Sequence, residues 1–252
     1  MVGMDRLNTQ ELWTLMGLAT RNGEKLGIHR DGTLLGLSPA ETEDRRRLWY
    51  QLQYIDLILA VRLGATPLTL MAGWDVKLPL NIEDDDVTPD MKSFPEERKR
   101  LTSMSYALFT FYVLDQQRKY HADKGPFELS WSTNQSVTSR TKEDFVDKLE
   151  DGLNKQFLQY CDPIKPVEVL LQLIARALTC VFRQRVLLTG GEEDRGPLLA
   201  SSMQCLEYAV TIHSHRLLKD FEWFTSKGYP WPACECTESM QNELTLQSWW
   251  CW

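Results

Sequence analysis

Ser38-Pro39-Ala40-Glu41 fixes the start of a helix more firmly than any other four residues of the chain. A serine hydroxyl stands at the N-cap, a proline at the first helical position and a carboxylate at the third. The helix is predicted to run to Gly64, which supplies the left-handed residue that ends it. Leu48, Leu52, Ile55, Leu59 and Leu63 fall at helical spacing with Trp49 beside them, and Arg45, Arg46 and Arg47 sit just upstream. One apolar face and charged opening turns are therefore expected. A loop follows, then the apolar-acidic segment Leu78-Pro79-Leu80-Asn81-Ile82 with Asp84, Asp85 and Asp86.

Other helices flank this stretch. Asn8 with Glu11 three residues later forms a capping box, and Leu12, Leu15, Met16, Ala19 and Leu26 mark one face up to Gly27. Pro89, Ser93 and Pro95 separate the acidic loop from a helix that begins at Pro95-Glu96-Glu97 and carries Leu101, Met104, Leu108, Phe111 and Tyr112 to about Lys119. Between His121 and Arg140 lies a polar segment without helical period, a candidate for a long loop or weak boundary. Thr141 can cap a helix bearing Phe145, Leu149, Leu153 and Phe157, which ends at Tyr160-Cys161-Asp162-Pro163. Pro166 opens a helix that is apolar nearly all round, through Val167, Leu170, Leu171, Ile174, Leu178, Val181 and Phe182, and Gly190-Gly191 end it. Pro197 opens another, with the stripe Met203, Leu206, Val210, Leu217, Phe221 and Phe224. The fold class expected is all-α, a multi-helix bundle of about six long helices joined by loops.

Composition excludes several function classes. The 252 residues are 43% hydrophobic and 25% charged, as in a globular domain rather than a disordered one. A net charge of −7 disfavours a direct grip on a phosphate backbone. The most apolar run, Val167 to Phe182, is interrupted by Glu168, Gln172 and Arg176, so no membrane partner is expected. Six cysteines at 161, 180, 205, 234, 236 and 251 are too sparse for a disulfide framework, and an intracellular chain is expected, in which the Asn134-Gln135-Ser136 sequon is irrelevant.

No pattern assigns a catalytic, cofactor-binding or metal-ligating residue. Cys234-x-Cys236 is the only close cysteine pair, and His213 and His215, two apart on a helix, point away from a shared ion. Asp85-Asp86-x-x-x-Asp90 resembles the magnesium-binding aspartates of helical terpene cyclases, but Pro79 and Pro89 bracket it and disfavour the helix those aspartates line. A solvated loop is the plainer reading. Gly190-Gly191 is followed by Glu192, Glu193 and Asp194, which repel phosphate. Arg45-Arg46-Arg47 and Arg98-Lys99-Arg100 have acidic neighbours and read as exposed helix faces.

Taken in order, LGIHRDGTLLGLSP, the charges before LWYQL, Asp56, Gly64-Ala65-Thr66-Pro67 and LPLNIEDDDVTPD resemble the fungal-specific transcription factor domain. That is the all-helical middle region of fungal zinc binuclear cluster transcription factors. FLQYCDPIKPVEVLLQLIARAL resembles the same family, so the likeness runs to about Trp231. Residues 1–231 are thus expected to be a partial regulatory domain. At Tyr229-Pro230-Trp231-Pro232-Ala233 the chain has Pro232 where the family has a histidine, and 232–252 reads as an atypical tail, as from a truncated or mis-spliced reading frame. The resemblance implies a nuclear transcription regulator, often of metabolic or secondary-metabolite genes, that lacks its own zinc cluster and meets DNA only indirectly. The partners it implies are a complete transcription factor, in a homo- or heterodimer, and a small-molecule effector. The rival expectation is a stand-alone helical biosynthetic enzyme or ligand carrier, with Asp84 to Asp90 or His29-Arg30-Asp31 at its pocket.

Overall fold

A computed structural model describes residues 8–63, 65, 67, 73–124, 138–188 and 195–225. Among these residues seven α-helices and three short 3-10 turns account for the regular structure, and there is no strand. The helices are α1 (Thr9–Lys25), α2 (Pro39–Leu63), α3 (Ser105–Lys124), α4 (Ser139–Gln156), α5 (Pro166–Leu187), α6 (Arg195–Ser214) and α7 (Glu222–Thr225). The all-α class is as expected. The chain divides into two compact units, which part in the segment between α3 and α4.

In the first unit α1 packs on α2, and α2 on α3. Asn8 and Glu11 close the predicted capping box: the Glu11 amide donates to Asn8 Oδ1 at 2.8 Å and the Asn8 amide to Glu11 Oε2 at 2.9 Å. At the other end Gly27, with φ 70°, turns the chain, its amide donating to the Glu24 carbonyl and the Ile28 amide to that of Gly23. This paired pattern satisfies the last carbonyls of α1, and a side chain at Gly27 would be strained. The predicted face is rotated: Leu15 is 50% exposed, while Thr20 and Gly23 are buried with Leu12, Met16 and Ala19 at least half-buried. Small residues in the last two turns of α1 let its backbone approach α2, which decides which side is inward.

Ser38 Oγ caps α2 by accepting from the Glu41 amide at 3.2 Å, as the opening four residues require. The predicted end, Gly64, lies outside the described residues, as do the Cys234-Cys236 pair, the Asn134 sequon, Gly190-Gly191 and the tail from 226 on. The start of α3 is a correction. It begins at Ser105, ten residues beyond Pro95, because residues 97–103 hydrogen-bond to the acidic loop instead of to their own i−4 neighbours. Ser105 Oγ accepts from the Thr102 amide at 2.7 Å, an N-terminal polar contact absent from the predicted start.

The second unit packs α4 on α5 and α5 on α6. Its capping threonine is Thr138, accepting from the Thr141 amide, with Thr141 one turn inside. Phe145, Leu149, Leu153 and Phe157 are buried as predicted, and Phe145 meets Phe182 edge-on at 6.2 Å. Pro166 occupies the first turn of α5, and the Asp162 amide is received by Glu168 at 2.7 Å. On α6 the predicted stripe is one residue out of register: Met203 and Val210 are 54% and 65% exposed, whereas Leu198, Ser202, Cys205, Ala209 and Ile212 are buried.

A strap of paired charges over the second helix

The buried face of α2 keeps only Leu59, with Trp49, of the expected leucine stripe. It runs Thr42-Glu43, Arg46, Trp49-Tyr50, Gln53, Asp56, Leu59-Ala60, each step three or four residues, so half of a long inward face is polar or charged. Leu48, by contrast, is about half exposed. Buried charges require partners, and residues 28–33 and 74–103 supply them.

Asp31 is the first anchor. Its carboxylate accepts from Arg46 Nε at 2.8 Å and Nη2 at 2.9 Å, from the Lys77 amide at 3.0 Å and from Thr33 through both amide and hydroxyl. Burial works to raise its pKa, yet Arg46, Thr33 and the Lys77 amide together hold it well below the carboxylate range. One carboxylate thus joins the loop after α1, the body of α2 and the strap. The neighbouring crossing repeats the logic, with Asp75 accepting from the Asp31 amide at 2.7 Å and from Arg30 Nε at 2.6 Å. Gly32 sits where α2 leaves no room: a Cβ there would lie 2.4 Å from Thr42 Oγ1 and 2.9 Å from Thr42 Cα.

Glu43 is the second anchor. Its Oε1 accepts from the Leu80 amide at 3.1 Å and from Arg47 Nε at 3.2 Å, while Oε2 has no hydrogen bond. Burial pushes its pKa up, with Leu80, Arg47 and Arg46 opposing. Trp74 and Val76 of the strap complete an apolar cluster with Ile28, Trp49, Tyr50, Phe111 and Leu114. Tyr50 meets Trp74 edge-on at 5.3 Å, and the Arg118 guanidinium lies 3.8 Å from the Trp74 ring centroid.

The acidic run forms the outer edge of this strap. Asp84 pairs with Arg47 at 2.8 Å, Asp86 with Arg98 at 2.8 Å and Glu83 with Arg100 at 2.7 Å, while Asp86 also receives the Glu83 amide. Asp85 and Asp90 are exposed. Asn81 stitches the strap to the segment before α3, its Nδ2 donating to the carbonyls of Arg98 and Arg100. The run therefore forms a 3-10 turn in which the Glu83, Asp84 and Asp86 carboxylates face guanidinium groups.

Three of the expected placements change. Arg46 is buried and both Arg45 and Arg47 are only partly exposed, hence none of the triplet lies on the expected exposed face. Arg98 and Arg100 belong to no helix and serve the acidic loop. His29-Arg30-Asp31 is a joint between segments, with Asp31 fully engaged. His213 is exposed and His215 receives the Leu217 amide through Nδ1, so the two act apart. Glu43 falls only among the charges before LWYQL, and Trp74 in none of the phrases. The available signal is the polar stripe 43, 46, 53, 56 in phase with Trp49, Tyr50 and Leu59.

The fungal specific transcription factor domain profile matches residues 1–158. The chain belongs to that family. It is 27% identical to the aurofusarin cluster transcription factor of Gibberella zeae over 87% of its own length and 34% of that protein's. It is 33% identical to the pyriculol/pyriculariol biosynthesis cluster transcription factor 1 of Pyricularia oryzae over 63% of its length and 22% of that protein's. A C6 finger domain transcription factor of Aspergillus fumigatus is 28% identical over 84% of the chain and 31% of its own length. The chain thus spans about a third or less of these relatives. No solved structure matches it. Within the family match lie both anchors of the strap, Asp31 and Glu43, together with α1, α2 and α3.

Proposed function

We propose that this domain is a regulatory part of a nuclear fungal transcription factor that controls genes of secondary metabolism. The observation that carries the proposal is the family match over residues 1–158, joined to relatives whose names tie them to aurofusarin and pyriculol/pyriculariol clusters. The charge of −7 supports a role apart from DNA contact, which falls to a zinc cluster on the same or a partner protein. A complete factor as dimer partner and a small-molecule effector are the partners of this reading, and among the described residues no helix is long and apolar enough to cross a membrane. Catalysis is not part of it: Asp31, Asp84 and Asp86, which the rival expectation sets at a pocket, are ion-paired to arginines.

The test is genetic. The coding frame is deleted, and separately overexpressed with a fluorescent tag, in the fungus that encodes it, and transcripts are sequenced. Nuclear fluorescence with coordinated change across one biosynthetic gene cluster is expected. Exclusion from the nucleus, or a transcriptome that does not respond to either manipulation, overturns the proposal.

A further inference from the structure

In the second unit two thiols face each other across the crossing of α5 and α6. Cys180 and Cys205 form one buried cluster, walled by Val181, Leu206 and Tyr208. Neither is in a disulfide. The helices approach closely here because small polar residues line the seam. Ser201 Oγ donates to the Cys180 carbonyl at 3.3 Å, and Gln184 Nε2 donates to Ser202 Oγ at 2.9 Å, which hold α6 against α5 about one turn from the cysteines.

We propose that Cys180 and Cys205 are a reversible disulfide site, oxidised by a small hydroperoxide and linking α5 to α6. Cys180 is the attacking group. It retains 8% exposure, whereas Cys205 has none. A hydrogen bond from Cys205 draws the Cys180 pKa down and Arg183 and Arg176 assist, against burial and Glu150. The half-buried Cys161 is the contrasting case: burial and Glu168 push its thiol up to about 11, so less thiolate is present. Access alone would select Cys161, while nucleophilicity and a neighbouring thiol select Cys180.

The steps balance. The Cys180 sulfur attacks the terminal peroxide oxygen, the O–O bond breaks, and the leaving alkoxide takes the Cys180 proton to depart as an alcohol. Cys180 is then a sulfenic acid. The Cys205 sulfur attacks the Cys180 sulfur, the S–O bond breaks, and the departing hydroxide takes the Cys205 proton as water. Two thiols have given two electrons and two protons to one hydroperoxide, yielding one disulfide, one alcohol and one water. Dithiothreitol reverses the link by thiol exchange.

The experiment uses the full chain, reduced, then treated with tert-butyl hydroperoxide and mapped by non-reducing peptide mass spectrometry. The expected product is a Cys180–Cys205 linked peptide, lighter by two hydrogens than the sum of its parts and lost on adding dithiothreitol. In urea, where the seam is gone, the preference for this pair should vanish. With Cys205→Ser, dimedone should trap a sulfenic acid at Cys180. Oxidation of Cys161 before Cys180, linkage of Cys180 to any other cysteine, an unreacted pair, or equal yield of the pair in urea would each overturn the proposal. The wild-type mapping decides the matter even where a variant does not fold.

Discussion

Arg46 closes a two-point fork on Asp31, Nε to Oδ2 at 2.8 Å and Nη2 to Oδ1 at 2.9 Å, with both side chains almost wholly buried. The two residues are fifteen apart and belong to different segments, yet the same aspartate also receives the Lys77 amide. The pair therefore sets where the strap lies on α2 as well as neutralising two charges.

Arg46→Met should be strongly destabilising. It leaves Asp31 buried with amide and hydroxyl donors but no counter-charge, a situation that costs about 3–5 kcal/mol. Arg46→Lys retains the charge and loses the fork, so only part of that loss should return. Urea unfolding of the three chains checks this. An Arg46→Lys chain as stable as the parent would show that geometry at Asp31 is immaterial. The double change Arg46→Met with Asp31→Leu should recover stability relative to Arg46→Met alone, since an apolar pair leaves no orphaned charge.

The α6 register gives a second prediction. Ala209 is 3% exposed and Val210, its neighbour, is 65% exposed. Ala209→Glu forces an unpaired carboxylate into the α5–α6 seam and should cost more than about 3 kcal/mol, whereas Val210→Glu should stay within about 0.5 kcal/mol. Thermal melts followed by circular dichroism separate the two. Were Val210→Glu the more damaging, the inward face would be the predicted stripe through Met203 and Val210, and the observed register would be wrong.

These two sites also mark how far the sequence could be read. Three helix starts were legible from local residues, since Asn8 with Glu11, Ser38 with Glu41 and Pro166 all stand where the residues alone place them, whereas the cap of α4 is Thr138 and not the expected Thr141. Faces were less legible, because apolar spacing cannot distinguish an inward leucine from an outward one when small or charged residues compete for the interface. Gly23 on α1, Ser202 and Cys205 on α6 and Arg46 on α2 won that competition through close approach or ion pairing. The start of α3 failed for a related reason. Glu97 and Arg98 have helical propensity, but Glu97 accepts the Asn81 amide and Arg98 grips Asp86, long-range bonds that no local window contains. The family, by contrast, was legible from the order of phrases between Leu26 and Asp90, which needs no knowledge of partners.

Glu43 gives a prediction in pH. Burial raises its pKa above that of an unfolded glutamate, so the folded state holds the proton more tightly. Its contribution is then fully present below the unfolded value of about 4.3 and is lost as pH rises through the raised folded value. Asp31 works in the opposite sense: its folded pKa is depressed, so its contribution is present above about 3.9 and fails only in stronger acid. The two windows do not overlap, which isolates Glu43 between mildly acid and neutral pH. Glu43→Gln keeps an oxygen for the Leu80 amide and cannot ionise. The difference in urea stability between wild type and Glu43→Gln should therefore move against wild type as pH rises from about 4 toward neutrality, with the histidines common to both chains cancelling. A difference that stays flat, or moves in favour of wild type, would mean that Arg46 and Arg47 hold the Glu43 carboxylate ionised at no net cost, and that the second anchor is as strongly paired as the first.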